Sequence, residues 1–282
     1  MQAEPLEKSD TLKSLSLGGW RQFDDITIAF HERLTIITGE NATGKNTLMH
    51  LLGNAVGWDI PLASAPNLLR SVARFFGDVW RSFRSTPQDT PNVDVTQIGE
   101  IVLARLGTLQ VRLYEGKDDT LRTRLEPITR LPGIYIPSHR PLFAPATPVA
   151  VRRRGLSLPE MFDEYQMRVR PAWTGERVER QGGAVSFLRV ALNLMDAKDA
   201  QSFEEILRGV LPQSLGFDKL RMDHAGNRVL LETTTGSFDI DTVSGGVAAL
   251  IDIAFQLFTY SARYSRFVAL IDEPENHLHP AL

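Results

Sequence analysis

Between Leu34 and Leu48 the chain reads Leu34-Thr-Ile-Ile-Thr-Gly39-Glu-Asn-Ala-Thr-Gly44-Lys45-Asn46-Thr47-Leu48. A short β-branched apolar run is followed by a loop bounded by two glycines, then by a lysine and an apolar helical pattern. Glycines at 39 and 44 allow the backbone a tight turn in which successive N–H groups converge, and the helix that follows adds its unpaired N-terminal donors and the positive end of its dipole. Lys45 supplies a full charge beside the terminal phosphates of a nucleotide. The stretch therefore reads as a phosphate-binding loop, with Leu34 to Thr38 as a buried strand before it and Leu48, Leu51 and Leu52 as the inner stripe of a helix after it. One position departs from the pattern: after Gly-Lys a Ser or Thr is expected, and Asn46 stands there.

At 282 residues and 43% hydrophobic content the chain is long enough for one elaborated α/β domain or a domain with an added lobe. No apolar run reaches the roughly 20 residues of a membrane span, and the polar start from Met1 to Asp10 is unlike a secretory signal, so the expectation is a cytoplasmic protein without a membrane partner. The absence of cysteine excludes a disulfide framework, a thiolate zinc site and thiol catalysis. A net charge of -3 gives no mandate for nucleic acid, although Arg152-Arg153-Arg154 and the Arg168/Arg170 pair gather positive charge in mid-chain, and nucleic acid stays open as a partner.

Before the loop, Leu12–Leu17 and Ile26–Phe30 have the alternation of two strands, joined by Gly18 to Phe23. Trp20 and Phe23 beside that connection suit either core packing or stacking on an adenine. Asn67–Arg84 places apolar residues at helical spacing with Arg70, Arg74, Arg81 and Arg84 off the stripe, as a solvated face or a basic one. Ser85–Asn92 is a loop, and Ile98–Leu106, Leu109–Tyr114 and Leu121–Leu125 form a meander, with Gly116–Asp119 as one of its turns. Gly133–Pro137 is a short buried strand, and the loop after it carries His139 and Arg140, placed to sense a terminal phosphate or to shape an exposed, proline-rich turn. Leu158–Val169, Val185–Asp196 and Phe203–Val210 are helical; Leu220–Met222, Arg228–Thr233 and Ser237–Ile240 return to strands, with Asp223–Asn227 as a turn.

Two further motifs lie near the C-terminal end. Thr242-Val-Ser244-Gly245-Gly246 precedes an apolar run from Val247 to Phe258, which puts Ser244 at a helix N-cap. Phe267-Val-Ala-Leu-Ile-Asp272-Glu273-Pro274 is a run of five apolar residues, as in a strand covered on both faces, ending in two carboxylates. Downstream of a phosphate-binding loop this is a Walker B pattern: Asp272 to hold magnesium through a water, Glu273 to orient and deprotonate the attacking water. His277 and His279 have no third ligand nearby and give no metal site of their own.

This order of motifs resembles the ATP-binding-cassette (ABC) class of ATPases. Glu40-Asn41 within the loop and the ending Asp272-Glu-Pro-Glu-Asn-His277-Leu-His279-Pro280 resemble its RecF, SMC and OLD (overcoming lysogenization defect) branch, with anti-phage defence relatives such as the ATPase subunits of Septu, Gabija and retron systems. The resemblance covers both ends of the chain and is thin between residues 57 and 240. It implies an α/β fold of the ABC-type P-loop NTPase kind with an antiparallel β subdomain and a helical insertion lobe. Residues 57–131 would be a helical and β-meander insertion, and 150–215 a helical lobe, within one ATPase domain over 1–282. Positions 45 and 272 lie 227 apart, which fits a head carrying insertions. The class adds a strand with a switch histidine beyond this point, and the sequence stops at Leu282, so a C-terminally incomplete fold is expected.

The resemblance also assigns the site. ATP and Mg2+ are the implied cofactors. Gly39, Glu40, Asn41, Ala42, Thr43, Gly44, Lys45, Asn46 and Thr47 would bind nucleotide; Ser244, Gly245 and Gly246 would reach the γ-phosphate held by an opposing subunit; Asn46 and Asp272 would ligate the metal; and Glu273 would be catalytic. The implied partners are a second copy of the chain, as a homodimer or higher homo-oligomer joined through ATP, and an effector protein or an effector domain lying outside this sequence. Two other functions compete with this ATPase: a non-hydrolysing scaffold locked by nucleotide, which Asn46 favours, and a transporter-type cassette, which the long insertions oppose.

Overall fold

The computed structural model describes residues 10–58, 60, 62, 96–115, 121–138, 155–169, 184–223 and 228–276. The expected helix at 67–84, the loop at 85–92, the turns at 116–119 and 224–227, the basic residues at 152–154, and His139, Arg140, Arg170, His277 and His279 fall outside them. The chain divides into two compact units, one over Asp10–Leu131 and the other from Pro132 onward.

The first unit is built on a five-stranded antiparallel sheet in the order β2-β1-β3-β4-β5, from β1 (Leu12–Trp20), β2 (Phe23–Ala29), β3 (Thr96–Leu103), β4 (Thr108–Glu115) and β5 (Leu121–Glu126). The hairpin expected at its start is there, but β1 runs through both glycines. Trp20 pairs with Phe23, and the connection shrinks to Arg21 and Gln22, with Arg21 in the left-handed region at φ 50. Alternation puts Leu15, Leu17, Ile101, Leu103, Leu109 and Val111 on a buried face, each 2% exposed or less. Asp10, 1% exposed, ties the start of β1 to the β3–β4 connection at one end of this sheet, its carboxylate accepting from the backbone N–H groups of Thr11, Arg105 and Leu106. Helix α1 (Lys45–Ala55) buries Leu48, Leu51, Leu52 and Ala55, the stripe read from the sequence.

The expected strand from Leu34 to Thr38 is not formed. The segment joins none of the three sheets, and Leu34 and Ile36 are 68% and 73% exposed. A β-branched run supplies propensity, but a strand exists only when its N–H and C=O groups find a neighbour. Here the preceding turn closes on itself, with Thr35 Oγ1 accepting from the backbone N–H of His31.

The second unit holds a pair of parallel strands, β6 (Gly133–Ile136) and β10 (Val268–Ile271), and an antiparallel three-stranded sheet of β7 (Phe217–Asp223), β8 (Arg228–Thr233) and β9 (Gly236–Asp239). Among the described residues four α-helices accompany them: α2 (Leu158–Val169), α3 (Ala184–Leu194), α4 (Ala197–Val210) and α5 (Gly245–Ser261). α5 is the axis of the unit, packed by α2 and α4. Phe255 sits among Tyr165 and Phe203 with ring centroids 5.7 and 6.2 Å away, and Tyr260 meets Phe162 at 4.7 Å and Phe267 at 4.9 Å. All four residues of β6 are buried, whereas β10 exposes Ala269, so the expectation of a strand covered on both faces holds for β6 and not for β10. No helix among the described residues is long and apolar enough to cross a membrane.

Candidate functional site

The glycine-bounded loop has the geometry its residues demand. Ala42 and Gly44 both take positive φ, 65 and 99, on either side of Thr43, an alternation of hand of the kind that turns successive N–H groups to one side in anion-binding nests. Thr43 Oγ1 donates to the carbonyl of Glu40 at 2.9 Å and ties the loop across its width. Gly44 is the N-cap of α1, with no side-chain cap, and its carbonyl accepts from Leu48 at 3.0 Å. The first N–H groups of α1 therefore have no capping side chain competing for them. Lys45 curls back, its Nζ donating to the carbonyls of Gly39 at 2.7 Å and Glu40 at 2.8 Å. The lysine cation is thereby tied to the backbone of the loop it follows.

Asn46 is exposed on the first turn of α1, whereas Thr47 is buried and its Oγ1 accepts from Arg21 Nη1 at 3.1 Å. The Thr47 hydroxyl, the side-chain oxygen that follows Asn46 in the motif, is thus engaged by the tip of the β1–β2 hairpin. That tip is a part of the site which the sequence reading passed over. Arg21 lies 5.1 Å from the Trp20 ring centroid, and burial lowers its pKa from the ordinary guanidinium value. Gln22 and Phe23 press on Gly44 so closely that a Cβ there would lie 1.9 Å from Gln22 Nε2 and 2.5 Å from Phe23 Cζ. The signal available in the sequence was Arg-Gln at a two-residue turn between strands, a position whose side chains must project beyond the sheet. Trp20 and Phe23, 2% and 6% exposed, belong to the core and do not form an adenine platform.

In the second unit the Walker B residues leave the end of β10. Asp272 is 6% exposed, and its backbone N–H donates to the carbonyl of Ile136 at 2.9 Å, extending the parallel ladder by one rung. Glu273 is exposed and takes φ 46, a left-handed bend that turns the chain out of the strand. Its carbonyl accepts from Asn276 N–H at 3.0 Å, and Asn276 Nδ2 donates to the carbonyl of Ser138 at 3.1 Å, so the loops after β10 and β6 are strapped together. Tyr135 on β6 donates its hydroxyl to Asp272 Oδ2 at 3.3 Å. Burial and the charges of Asp272 and Glu273 push the phenol far above its ordinary pKa, so it stays a donor.

Ser244 caps α5 as expected, its Oγ accepting from Val247 N–H at 3.4 Å and its carbonyl from Ala248 N–H at 2.9 Å. Ser244 is exposed, while Gly246 is buried at the start of the helix. The approach to this cap is fixed from two sides: Thr242 bonds the carbonyl of Asp239 through both N–H and Oγ1, and Arg189 of α3 pairs with Asp241 at 2.6 Å. Desolvation raises the Asp241 pKa, with Arg189 pulling it down.

Asp272 in the second unit offers a carboxylate, and the start of α1 in the first offers the side-chain oxygens of Asn46 and Thr47. Oxygen donors of these kinds suit a hard ion such as magnesium, which takes few protein ligands and completes its shell with water and phosphate. Among the described residues no group of three His, Cys, Asp or Glu side chains gathers to cage a metal without such help.

The AAA_23 family, described as an AAA domain, matches residues 14–99. The chain is 30% identical over 121 residues to the DNA replication and repair protein RecF of Symbiobacterium thermophilum, a match covering 38% of this chain and 32% of that protein, so it spans about a third of the relative's length. Among solved structures it is similar to the Smc head domain of Pyrococcus furiosus, crystallised with an extended coiled coil and bound to the C-terminal domain of ScpA. That likeness has 14% identity and a TM-score of 0.46 over 96% of this chain and 83% of the other.

Proposed function

We propose that this chain, a RecF/SMC-like P-loop ATPase module of the ABC class, binds ATP with magnesium at Gly39–Thr47, hydrolyses it slowly, and uses ATP to join two copies of itself. The observation that carries the reading is the loop itself: a left-handed pair at Ala42 and Gly44, a helix start with no side-chain cap, and Lys45 bonded back to the loop carbonyls of Gly39 and Glu40. The Asp272-Glu273 pair at the end of a parallel strand supplies the other half of the chemistry. Asp272 and Asn46 would hold the ion, which when bound neutralises charge on the phosphates. Glu273, exposed beyond the strand end, would accept the proton of the attacking water.

Ser244, Gly245 and Gly246 would act across the interface between copies. An exposed hydroxyl at the start of a 17-residue helix suits a phosphate oxygen presented by a partner. Dimerisation would then gate an effector of a DNA-directed or anti-phage defence assembly, carried by another chain or by a domain outside this sequence. The second reading, a scaffold that nucleotide locks without hydrolysis, draws its support from Asn46 in the place of a magnesium-ligating hydroxyl.

The test is Glu273→Gln, which keeps the shape of the side chain and removes the base. Turnover is expected to fall by roughly 10²–10⁴ while ATP binding survives, and an ATP-bound dimer should accumulate on a sizing column. Hydrolysis at the unmodified rate would place the base elsewhere. A chain that never hydrolyses, yet dimerises with ATP, would select the scaffold.

A further inference from the structure

We propose that Tyr135 is the positioning residue of the acidic pair: from β6 it fixes the Asp272 carboxylate at the end of β10 in the orientation that receives a divalent cation beside bound nucleotide. The inference rests on the functional reading above and adds to it a residue outside the motifs. Its basis is register. Leu270 pairs with Tyr135 and Ile271 with Ile136, so the next position, Asp272, shares a face with Leu270 and therefore with Tyr135. Two residues along a strand span about 6.6 Å, which is close to the length of a tyrosine side chain, so a phenol lying along that face ends at the carboxylate. The hydroxyl does so, donating to Asp272 Oδ2 at 3.3 Å.

Both partners are enclosed, Tyr135 at 0% and Asp272 at 6% exposure. A buried phenol needs an acceptor, and a buried carboxylate needs donors to hold one rotamer, so each satisfies a requirement of the other. The backbone is fixed at the same place, because Asp272 N–H bonds Ile136 and Asn276 straps the following turn to Ser138. The main chain is thus held on both sides, and the Tyr135 hydroxyl acts on the carboxylate itself. Partners of this kind around a metal-binding carboxylate change metal affinity when removed, typically by 10–100-fold.

The experiment uses the full chain and a non-hydrolysable ATP analogue, with affinity measured calorimetrically across magnesium concentrations and again in EDTA. Tyr135→Phe keeps the ring and deletes only the oxygen. The half-saturating magnesium concentration is expected to rise by about 10–100-fold while affinity in EDTA stays unchanged. Asp272→Asn alone should shift the magnesium response as well, and adding Tyr135→Phe to it should bring no further shift, since the phenol acts through that carboxylate. Equal magnesium responses in Tyr135→Phe and the parent overturn the proposal. So does a loss of the same size in EDTA, which would mark a merely structural role, and so do additive shifts in the double variant. If Asp272→Asn itself leaves the magnesium response unchanged, the metal assignment falls, and the inference falls with it.

Discussion

Gly44→Ala is the substitution whose cost the structure fixes most tightly. Two penalties fall on one atom. The backbone there sits at φ 99, a region in which an L side chain meets its own carbonyl at roughly 1–2 kcal/mol. The added Cβ would also lie 1.9 Å from Gln22 Nε2 and 2.5 Å from Phe23 Cζ. Gln22 swings aside cheaply, but Phe23 is 6% exposed, and displacing a packed ring costs about 1–3 kcal/mol. The sum is about 2–5 kcal/mol, or a melting temperature lower by roughly 6–20 °C for a unit of this size. Two other glycines separate the terms. Gly19 has φ 65 with nothing within 4 Å of a Cβ, so Gly19→Ala bears the backbone cost alone. Gly39 is outside the positive-φ set and a Cβ meets Thr43 Oγ1 at 3.0 Å, so Gly39→Ala bears only a small contact. Thermal melts should rank the losses Gly44 above Gly19 above Gly39. Saturating ATP, which at a hundred times its Kd adds about 2.7 kcal/mol to a protein that binds it only when folded, should stabilise the Gly19 variant and not the Gly44 variant. A Gly44→Ala protein that melts with Gly19→Ala and still responds to ATP would refute the packing of the hairpin tip on the loop.

Ser244→Arg should abolish ATP-dependent dimerisation on a sizing column without weakening ATP binding to one copy, whereas a residue that only caps α5 would lose about 1 kcal/mol of stability and leave assembly unchanged. Asn46→Ser should raise turnover and sharpen its magnesium dependence, because a hydroxyl meets the ion's octahedral shell at roughly 2.0–2.1 Å more readily than an amide oxygen one bond further out; identical magnesium titrations would show Asn46 to be a competent ligand. Asp10→Ala should destabilise the first unit by about 1–3 kcal/mol in urea titration, since three part-buried hydrogen bonds lose their shared acceptor at once, and Asp10→Asn, which keeps one carbonyl oxygen, should lose less.

The sequence disclosed what is local. Helix α1 and its stripe follow from residue spacing alone, as does the cap at Ser244, and the hairpin and meander follow from alternation. Four things were not legible, each because it turns on whether a partner elsewhere in the chain is there. Leu34–Thr38 has strand composition without a strand's neighbour. The pairing of β3 with β1, which makes the hairpin and meander one sheet, joins Gly99 to Leu17 across a stretch with no alternation to follow. Arg21 belongs to the loop site only because the hairpin is one turn shorter than its glycines suggested, which carries the guanidinium to Thr47. Tyr135 was visible as part of an apolar strand, but its hydroxyl acquires meaning only in register with β10.

That register also sets an order of events during synthesis. Gly133 pairs with Val268, so the two parallel strands are separated by 135 residues of chain. At roughly 5–20 residues per second a ribosome takes about 7–27 s to deliver β10 after β6 has emerged. Throughout that interval β6, apolar at Ile134, Tyr135 and Ile136, lacks the strand it pairs with among the described residues, and its edge is able to join a strand of another nascent chain. The five antiparallel strands ahead of it, by contrast, are already complete. Asp272 and Glu273, at the end of β10, are therefore among the last of the described residues to be placed, and a polysome carrying many such chains holds every copy of that edge open together, the condition in which a chaperone bound near residue 135 would raise the yield of folded protein.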